Sequence, residues 1–281
     1  MSKKTPKYEF NSAQNLEFEL TTISHILKKS KSKITFPHKQ DFYGLFYFTN
    51  SYGKHFVDFK EYDIKKGDIF FISNEQVHYF ENIDNTEGNV ILFTNSFLEN
   101  DFLINQIFEL NTGNPILSLN EQLLKDFETL ILQISSVFSS TKKMKVEILK
   151  KYLEIILLEI YQYNQENLVL QNINYQRFLQ FKKDLKEHFN KEKAVKFYAD
   201  KQFISTKTLN IATREIINQS AKQYISEYIV LLAKRMLTST SFTTTEIAYE
   251  LGFDEPTNFT KFFKKKEKVT PVMFQKEHKF Q

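Results

Sequence analysis

An α+β multidomain chain is expected, with a β-barrel first, a helical hairpin next, and then an all-α domain of about seven helices holding two helix-turn-helix units. Three observations predict it. Residues 34–97 hold short aromatic and β-branched runs broken by turn clusters, the pattern of a small antiparallel barrel or sandwich. From about Asn120 the apolar spacing changes to the helical period and keeps it. Charge divides the same way: residues 1–173 carry 18 Lys+Arg against 22 Asp+Glu, and residues 174–281 carry 20 against 12. An acidic front and a basic back suggest two tasks, with a polyanion as partner of the back half.

Composition narrows the function classes. The chain has 281 residues, 41% hydrophobic and 26% charged, which suits about two soluble domains at roughly 150 residues each. No run of about 18 uncharged apolar residues exists, so no membrane partner is expected. The start, Met1-Ser-Lys-Lys-Thr-Pro-Lys, lacks the apolar core of a secretory signal. There is no cysteine, which excludes disulfides, thiolate zinc sites and cysteine nucleophiles and fits a reducing cytoplasm, the expected location. Six glycines form no G-x-G-x-x-G or P-loop run, and no Ser-His-Asp or paired-carboxylate arrangement stands out.

The strands follow in order. Phe42–Thr49 is aromatic and β-rich, and Asn50-Ser-Tyr-Gly53 is a turn. His55–Phe59 alternates, Lys65–Asp68 turns, and Ile69–Ser73, Val77–Phe80 and Asn89–Thr94 complete the set. Leu123, Leu124, Phe127, Leu130, Ile131 and Ile134 then mark one helix. Val146, Leu149, Leu153, Ile156, Leu157 and Ile160 mark its hairpin partner. Each carries one apolar stripe, serving either packing onto the barrel or dimerisation. The polar stretch after Tyr163 is the linker, so the domains are expected at 1–115 (barrel), 116–164 (hairpin), 165–174 (linker) and 175–281 (helical). Helices are expected near 175–189, 193–201, 205–217, 220–239, 243–250, 255–266 and 270–278.

Function is carried by the run from Thr243 to Phe263. A helix ends at Gly252, the residue best able to take a positive φ. The next opens with Asp254 as N-cap and Pro256 in its first turn. Phe253, Phe259 and Phe263 wedge it against Ile247 and Leu251, leaving Glu255, Thr257, Asn258 and Lys261 free to enter a major groove. Lys264, Lys265 and Lys266 close it, suited to phosphate contact. A weaker copy lies upstream: Ala199 matches Ala248, Ile204 matches Phe253, and Leu209 matches Phe259. Ser205 caps its second helix, whose free face carries Thr206, Lys207, Asn210 and Arg214. A helix of about 20 residues joins the two units and spans about 30 Å, close to one turn of duplex.

Residues 194–278 resemble the DNA-binding domain of the AraC/XylS family of transcription regulators. Thr245-Glu-Ile-Ala-Tyr-Glu-Leu-Gly-Phe, Asn258-Phe-Thr-Lys-Phe-Phe-Lys-Lys and Val269-Thr-Pro271 carry the likeness. The resemblance implies base reading by Lys207, Asn210 and Ile211 in the first unit, and by Pro256, Thr257, Asn258, Thr260 and Lys261 in the second. It also implies a homodimer on double-stranded DNA and activation through RNA polymerase, with repression compatible. The family's usual glycine at the first turn is Phe203 here. Its usual phenylalanine late in that recognition helix is Thr213, its frequent linker-helix arginine is Ile229, and a later glycine is Lys268.

The strand region resembles the cupin-like sensor domain common in front of such regulators. Phe36-Pro-His38, Gly67-Asp68-Ile-Phe-Phe-Ile and Glu75-Gln-Val-His78 carry that likeness. A small apolar or sugar-like effector is expected in a pocket of His38, Phe46, Phe48, Phe71, His78 and Tyr79. A metal-dependent cupin enzyme is the alternative. Gln40 stands where such enzymes often place a histidine, and His38 and His78 lack a clear third ligand. No metal, cofactor or catalytic residue is therefore expected.

Overall fold

A computed structural model describes residues 5–12, 14, 16–74, 76–104, 107–108, 115–167 and 173–278. The chain divides into two compact units, Pro6–Asn167, and Leu168–Gln281 together with Met1–Thr5.

The first unit is β-rich. Its main sheet has five strands in the order β10-β7-β4-β9-β2, all antiparallel. They are β2 (Phe18–Thr22), β4 (Tyr43–Phe48), β7 (Asp68–Ile72), β9 (Gly88–Phe93) and β10 (Ile116–Ser118). A second sheet holds β5 (Lys54–Val57) between β6 (Lys60–Asp63) and β8 (His78–Glu81). A short parallel pair joins β1 (Lys7–Tyr8) to β3 (Lys39–Gln40). Among the described residues these sheets stay separate, so the expected barrel is an open arrangement.

The five-stranded sheet is covered on both faces, which is why its strands read as almost continuous apolar runs. Successive side chains point to opposite faces. Phe46, Phe48, Phe70, Ile72 and Val90 pack with Val57 and Phe80 of the second sheet. Tyr43, Leu45, Tyr47, Phe71, Ile91 and Phe93 face the other way, toward the hairpin helices α4 (Glu121–Phe138) and α5 (Lys145–Asn167). The hairpin stripes close that core with Phe127, Ile131 and Ile134 from α4 and Leu149, Leu153 and Ile156 from α5. They serve packing, while Leu132, Ile155 and Leu158 of the hairpin stay exposed. Tyr47 Oη donates to Glu128 Oε1 at 2.5 Å, tying sheet to hairpin.

Two boundaries differ from expectation. β10 begins at Ile116 and pairs with β7, so the sheet continues into the segment expected to be all hairpin. α5 runs through Asn167, and the next helix starts at Ile173. Only 168–172 of the expected linker fall outside these helices, and they lie outside the described residues. The unit also holds the helices α1 (Ile23–Ile34), α2 (Asn95–Leu98) and α3 (Asp101–Ile104).

The second unit is all-helical: α6 (Ile173–His188), α7 (Val195–Lys201), α8 (Thr206–Ile217), α9 (Ala221–Ser239), α10 (Thr244–Glu250), α11 (Pro256–Glu267) and α12 (Pro271–His278). These are the seven expected helices. Polar caps set several starts. Ser220 and Thr243 each form a reciprocal capping box with the residue three positions on, satisfying donors that the first turn leaves open. α9 touches α8, α10 and α12. It buries Ile225, Ile229, Ala233 and Leu237, so Ile229 is a core residue where the family's arginine would be polar. Among the described residues no helix is long and apolar enough to cross a membrane.

Candidate nucleic-acid interface and ligand cavity

Both helix-turn-helix units close with the same backbone hydrogen bonds. In the second, the Phe253 N–H donates to Ala248 O and the Gly252 N–H to Tyr249 O, both at 2.9 Å. In the first, the Ile204 N–H donates to Ala199 O and the Phe203 N–H to Asp200 O, both at 3.0 Å. Each scheme needs a left-handed residue after the helix: Gly252 at φ +69° and Phe203 at φ +54°. Ala199 and Ala248 are both wholly buried, as close approach of two helices requires.

The second-unit wedge is aromatic. Phe259 and Phe263 are fully buried, and Phe253 packs at a tilt against Phe259, 5.4 Å between ring centres. Lys193 lies over the Phe253 ring and donates to Gly252 O; burial pulls its pKa down. The equivalent of Phe263 is Thr213, fully buried, with its hydroxyl donating to Asn210 O at 3.2 Å.

This packing leaves one face of each second helix open. On α11, Thr257, Asn258, Lys261, Lys264 and Lys265 are exposed, and Pro256 and Thr260 are half-buried. Thr260 Oγ1 donates to Pro256 O at 3.0 Å. Asp254 does not cap α11. Glu255 occupies the N-cap position with no side-chain cap bond, and Pro256 follows at the first helical position. Proline lacks an N–H there, so one fewer donor asks for a cap.

On α8, Ser205 caps as expected, accepting the Thr208 N–H at 3.0 Å. Thr206, Lys207 and Arg214 are exposed, and so is Ile211, whose apolar side chain suits a thymine methyl. Asn210 differs. Its Nδ2 donates to Thr206 O at 2.8 Å and its Oδ1 accepts the Ala221 N–H at 3.1 Å. Both ends of that amide are engaged in the fold, tying α8 to the start of α9.

The β-rich unit contains a cavity of about 370 Å³. His38, Phe46 and His78 line it, three of the six expected pocket residues. Phe48 is buried behind it. Phe71 lies on the opposite sheet face, among the hairpin contacts; Phe46 pairs in register with Phe70, so parity sends Phe71 the other way. Tyr79 points outward and stacks on Phe56 with ring centres 4.5 Å apart. Much of the remaining wall comes from α1, through Ile23, Ile26, Lys29 and Lys33. That helix is not among the elements expected from the sequence, although Ile23, Ile26, Leu27 and Ile34 follow helical spacing.

His55, His78 and Gln40 form a buried chain beneath the cavity, with His38 against His78 at 4.2 Å between ring centres. Burial depresses all three imidazoles, His38 to about 4 and His55 and His78 well below the ordinary value. All three are therefore neutral near pH 7. Among the described residues no group of three or more metal-ligating side chains is arranged to hold an ion.

Comparison with known proteins gives two family models on this chain. A helix-turn-helix domain matches residues 198–277, and an AraC-like ligand binding domain matches residues 25–147. The HTH-type transcriptional activator RhaS of Enterobacter sp. (strain 638) is 23% identical over 244 residues, covering 83% of this chain and 85% of that protein. The HTH-type transcriptional activator RhaR of Mannheimia succiniciproducens is 20% identical over 238 residues, covering 84% and 86%. The solved structure of ToxT from Vibrio cholerae covers 94% of this chain and 99% of that one, at 11% identity and a TM-score of 0.46.

Proposed function

The chain belongs to the AraC family of helix-turn-helix regulators, and on that premise we propose that it is a sequence-specific transcription regulator that binds duplex DNA with α8 and α11 and answers to a small effector in its β-rich unit. The observation carrying this reading is the repeated turn: two units share one hydrogen-bond scheme, and each presents a polar, lysine-bearing helix face. Thr206, Lys207, Ile211 and Arg214 on α8, and Thr257, Asn258 and Lys261 on α11, are the contact residues. Asn258 suits bidentate pairing with adenine, and Lys264 and Lys265 suit phosphates. Asn210 acts by holding α8.

The protein works in the cytoplasm as a homodimer on two half-sites, through hairpin residues Leu132, Ile155 and Leu158, and activates by meeting RNA polymerase. It is not an enzyme. The names of the relatives RhaS and RhaR, transcriptional activators, support activation.

The test is operator binding by the full chain. Bound duplexes are selected from a random library, and affinity is measured on the selected and a scrambled duplex across salt. Asn258→Ala should weaken the selected duplex alone, by about 1–3 kcal/mol. Lys265→Ala should weaken both alike and reduce the salt slope by about one unit. A full chain that selects no sequence sinks the reading.

A further inference from the structure

The hydrogen bonds beneath the cavity fix the state of each polar atom on its floor. Gln40 Nε2 donates to the carbonyls of Phe42 at 3.0 Å and Ile72 at 3.5 Å. The amide cannot be reversed without setting oxygen against oxygen, so Oε1 faces His78. An amide oxygen only accepts. His78 therefore carries its proton on Nε2, 3.2 Å away, and its Nδ1 is an acceptor, filled by His55 Nε2–H at 3.2 Å.

His38 is fixed independently. Its Nδ1–H donates to the Phe36 carbonyl at 2.9 Å, so in the neutral ring Nε2 is a bare lone pair. That atom has no hydrogen-bond partner among the described residues and is not one of the unpaired atoms sealed from solvent. It opens onto the cavity that His38 lines. Around it stand apolar walls from Ile23, Ile26, Phe42, Phe46, Phe80 and Leu92. At the rim two lysines, Lys29 and Lys33, are matched by two glutamates, Glu9 and Glu19, so the mouth favours neither sign of charge. The volume, about 370 Å³, lies within the range of about 300–1,000 Å³ usual for small-molecule sites.

Resting on the effector reading above, we propose that this cavity takes an uncharged amphipathic molecule that leads with a hydroxyl, an alcohol or phenol with an apolar body, whose O–H donates to His38 Nε2. A carboxylate has no proton to give at neutral pH and would set its oxygen against a lone pair. A molecule without a donor leaves that acceptor buried and unpaired, which is unfavourable. Burial, which pulls the His38 pKa down to about 4, keeps this acceptor through the physiological range.

Three probes of one shape test this: para-propylphenol, its methyl ether para-propylanisole, and para-propylbenzoate. Each is titrated into the full chain by calorimetry, and the histidine nitrogens are followed by NMR on protein labelled with nitrogen-15 histidine. The phenol should bind about three- to tenfold more tightly than the ether, the worth of one hydrogen bond, with the benzoate weakest. The His38 Nε2 resonance should move with the phenol while Nδ1 holds. His38→Phe should abolish the phenol's advantage while both neutral probes still bind. Should that variant not fold, the wild-type nitrogen resonances decide alone. An ether equal to the phenol, or a benzoate that binds best, overturns the hydroxyl class and leaves the cavity a ligand site. No heat and no shift from any probe overturns both the class and the effector reading beneath it.

Discussion

In the first helix-turn-helix unit the left-handed turn residue is Phe203; in the second it is Gly252. The two closing backbone bonds are the same in both units, yet the residues differ as far as two residues can. The difference lies in what surrounds the turn. A Cβ built on Gly252 would meet Asn190 O at 1.5 Å, whereas the Phe203 side chain is 96% exposed. A left-handed φ disfavours any side chain by about 1–2 kcal/mol, but only crowding makes glycine obligatory. The second unit is pressed against the turn between α6 and α7; the corresponding position of the first is open.

The largest test of this contrast is Gly252→Ala. It adds left-handed strain and forces the Asn190 backbone away, so the second unit should lose roughly 2–4 kcal/mol. Urea unfolding followed by circular dichroism would read this as a drop in midpoint. An unchanged midpoint would mean that the α6–α7 turn yields freely, and the crowding argument would fail.

Next come the asparagines of α8 and α11, which differ in what they touch. Asn210 is bonded at both ends within the fold; Asn258 is exposed, with no side-chain hydrogen bond among the described residues. Asn210→Ala should lower stability by about 1–2 kcal/mol, because the Ala221 N–H loses its acceptor, and should retain sequence preference once folded. Asn258→Ala should leave the unfolding midpoint in place. If Asn210→Ala instead changes which duplexes are selected, that asparagine reads bases and its intramolecular bonds are dispensable.

How much of this was legible in the sequence follows from the range of the interactions. The seven helices of the second unit are readable because their signals are local: Ser205 at an N-cap, apolar residues every three or four positions, Gly252 at the turn. The sequence points to Asp254 rather than Glu255 as the cap because an acidic residue before Pro256 satisfies the same pattern whichever of the two neighbours turns the chain. The cavity was half legible. His38, Phe46 and His78 lie on it, but separating Phe70 from Phe71 needs the β4–β7 register, a long-range fact. The α1 wall was missed because its isoleucines are interleaved with lysines, and Ser30 departs from helical geometry (φ −148°, ψ 29°) inside it.

Smaller effects should come from the first helix of each unit. α10 is capped by Thr243, whose capping box with Glu246 is complete. α7 starts at Ala194 with no side-chain cap bond. Thr243→Ala should cost about 1 kcal/mol, and Ala194→Ser should return a few tenths to about 1 kcal/mol to the first unit. Amide hydrogen exchange in α7 and α10 would resolve the two. Equal protection before and after both changes would show that packing alone holds these helices.

The smallest effect is the most diagnostic, because its sign opposes that of Gly252→Ala. Phe203→Gly relieves left-handed strain of about 1–2 kcal/mol and loses no buried contact, since the ring lies in solvent. Against that stands the greater freedom of glycine in the unfolded chain, of about 0.5–1 kcal/mol. The net should be a gain of about 0.5 kcal/mol, visible as a small rise in midpoint. Operator affinity should stay unchanged, because neither the turn bonds nor the α8 face depends on the ring. A loss of stability would mean that the ring packs in solution. A loss of affinity with stability intact would make Phe203 a contact for DNA or for a protein beside it, and the open turn of the first unit would then be a second recognition surface with no equivalent at Gly252.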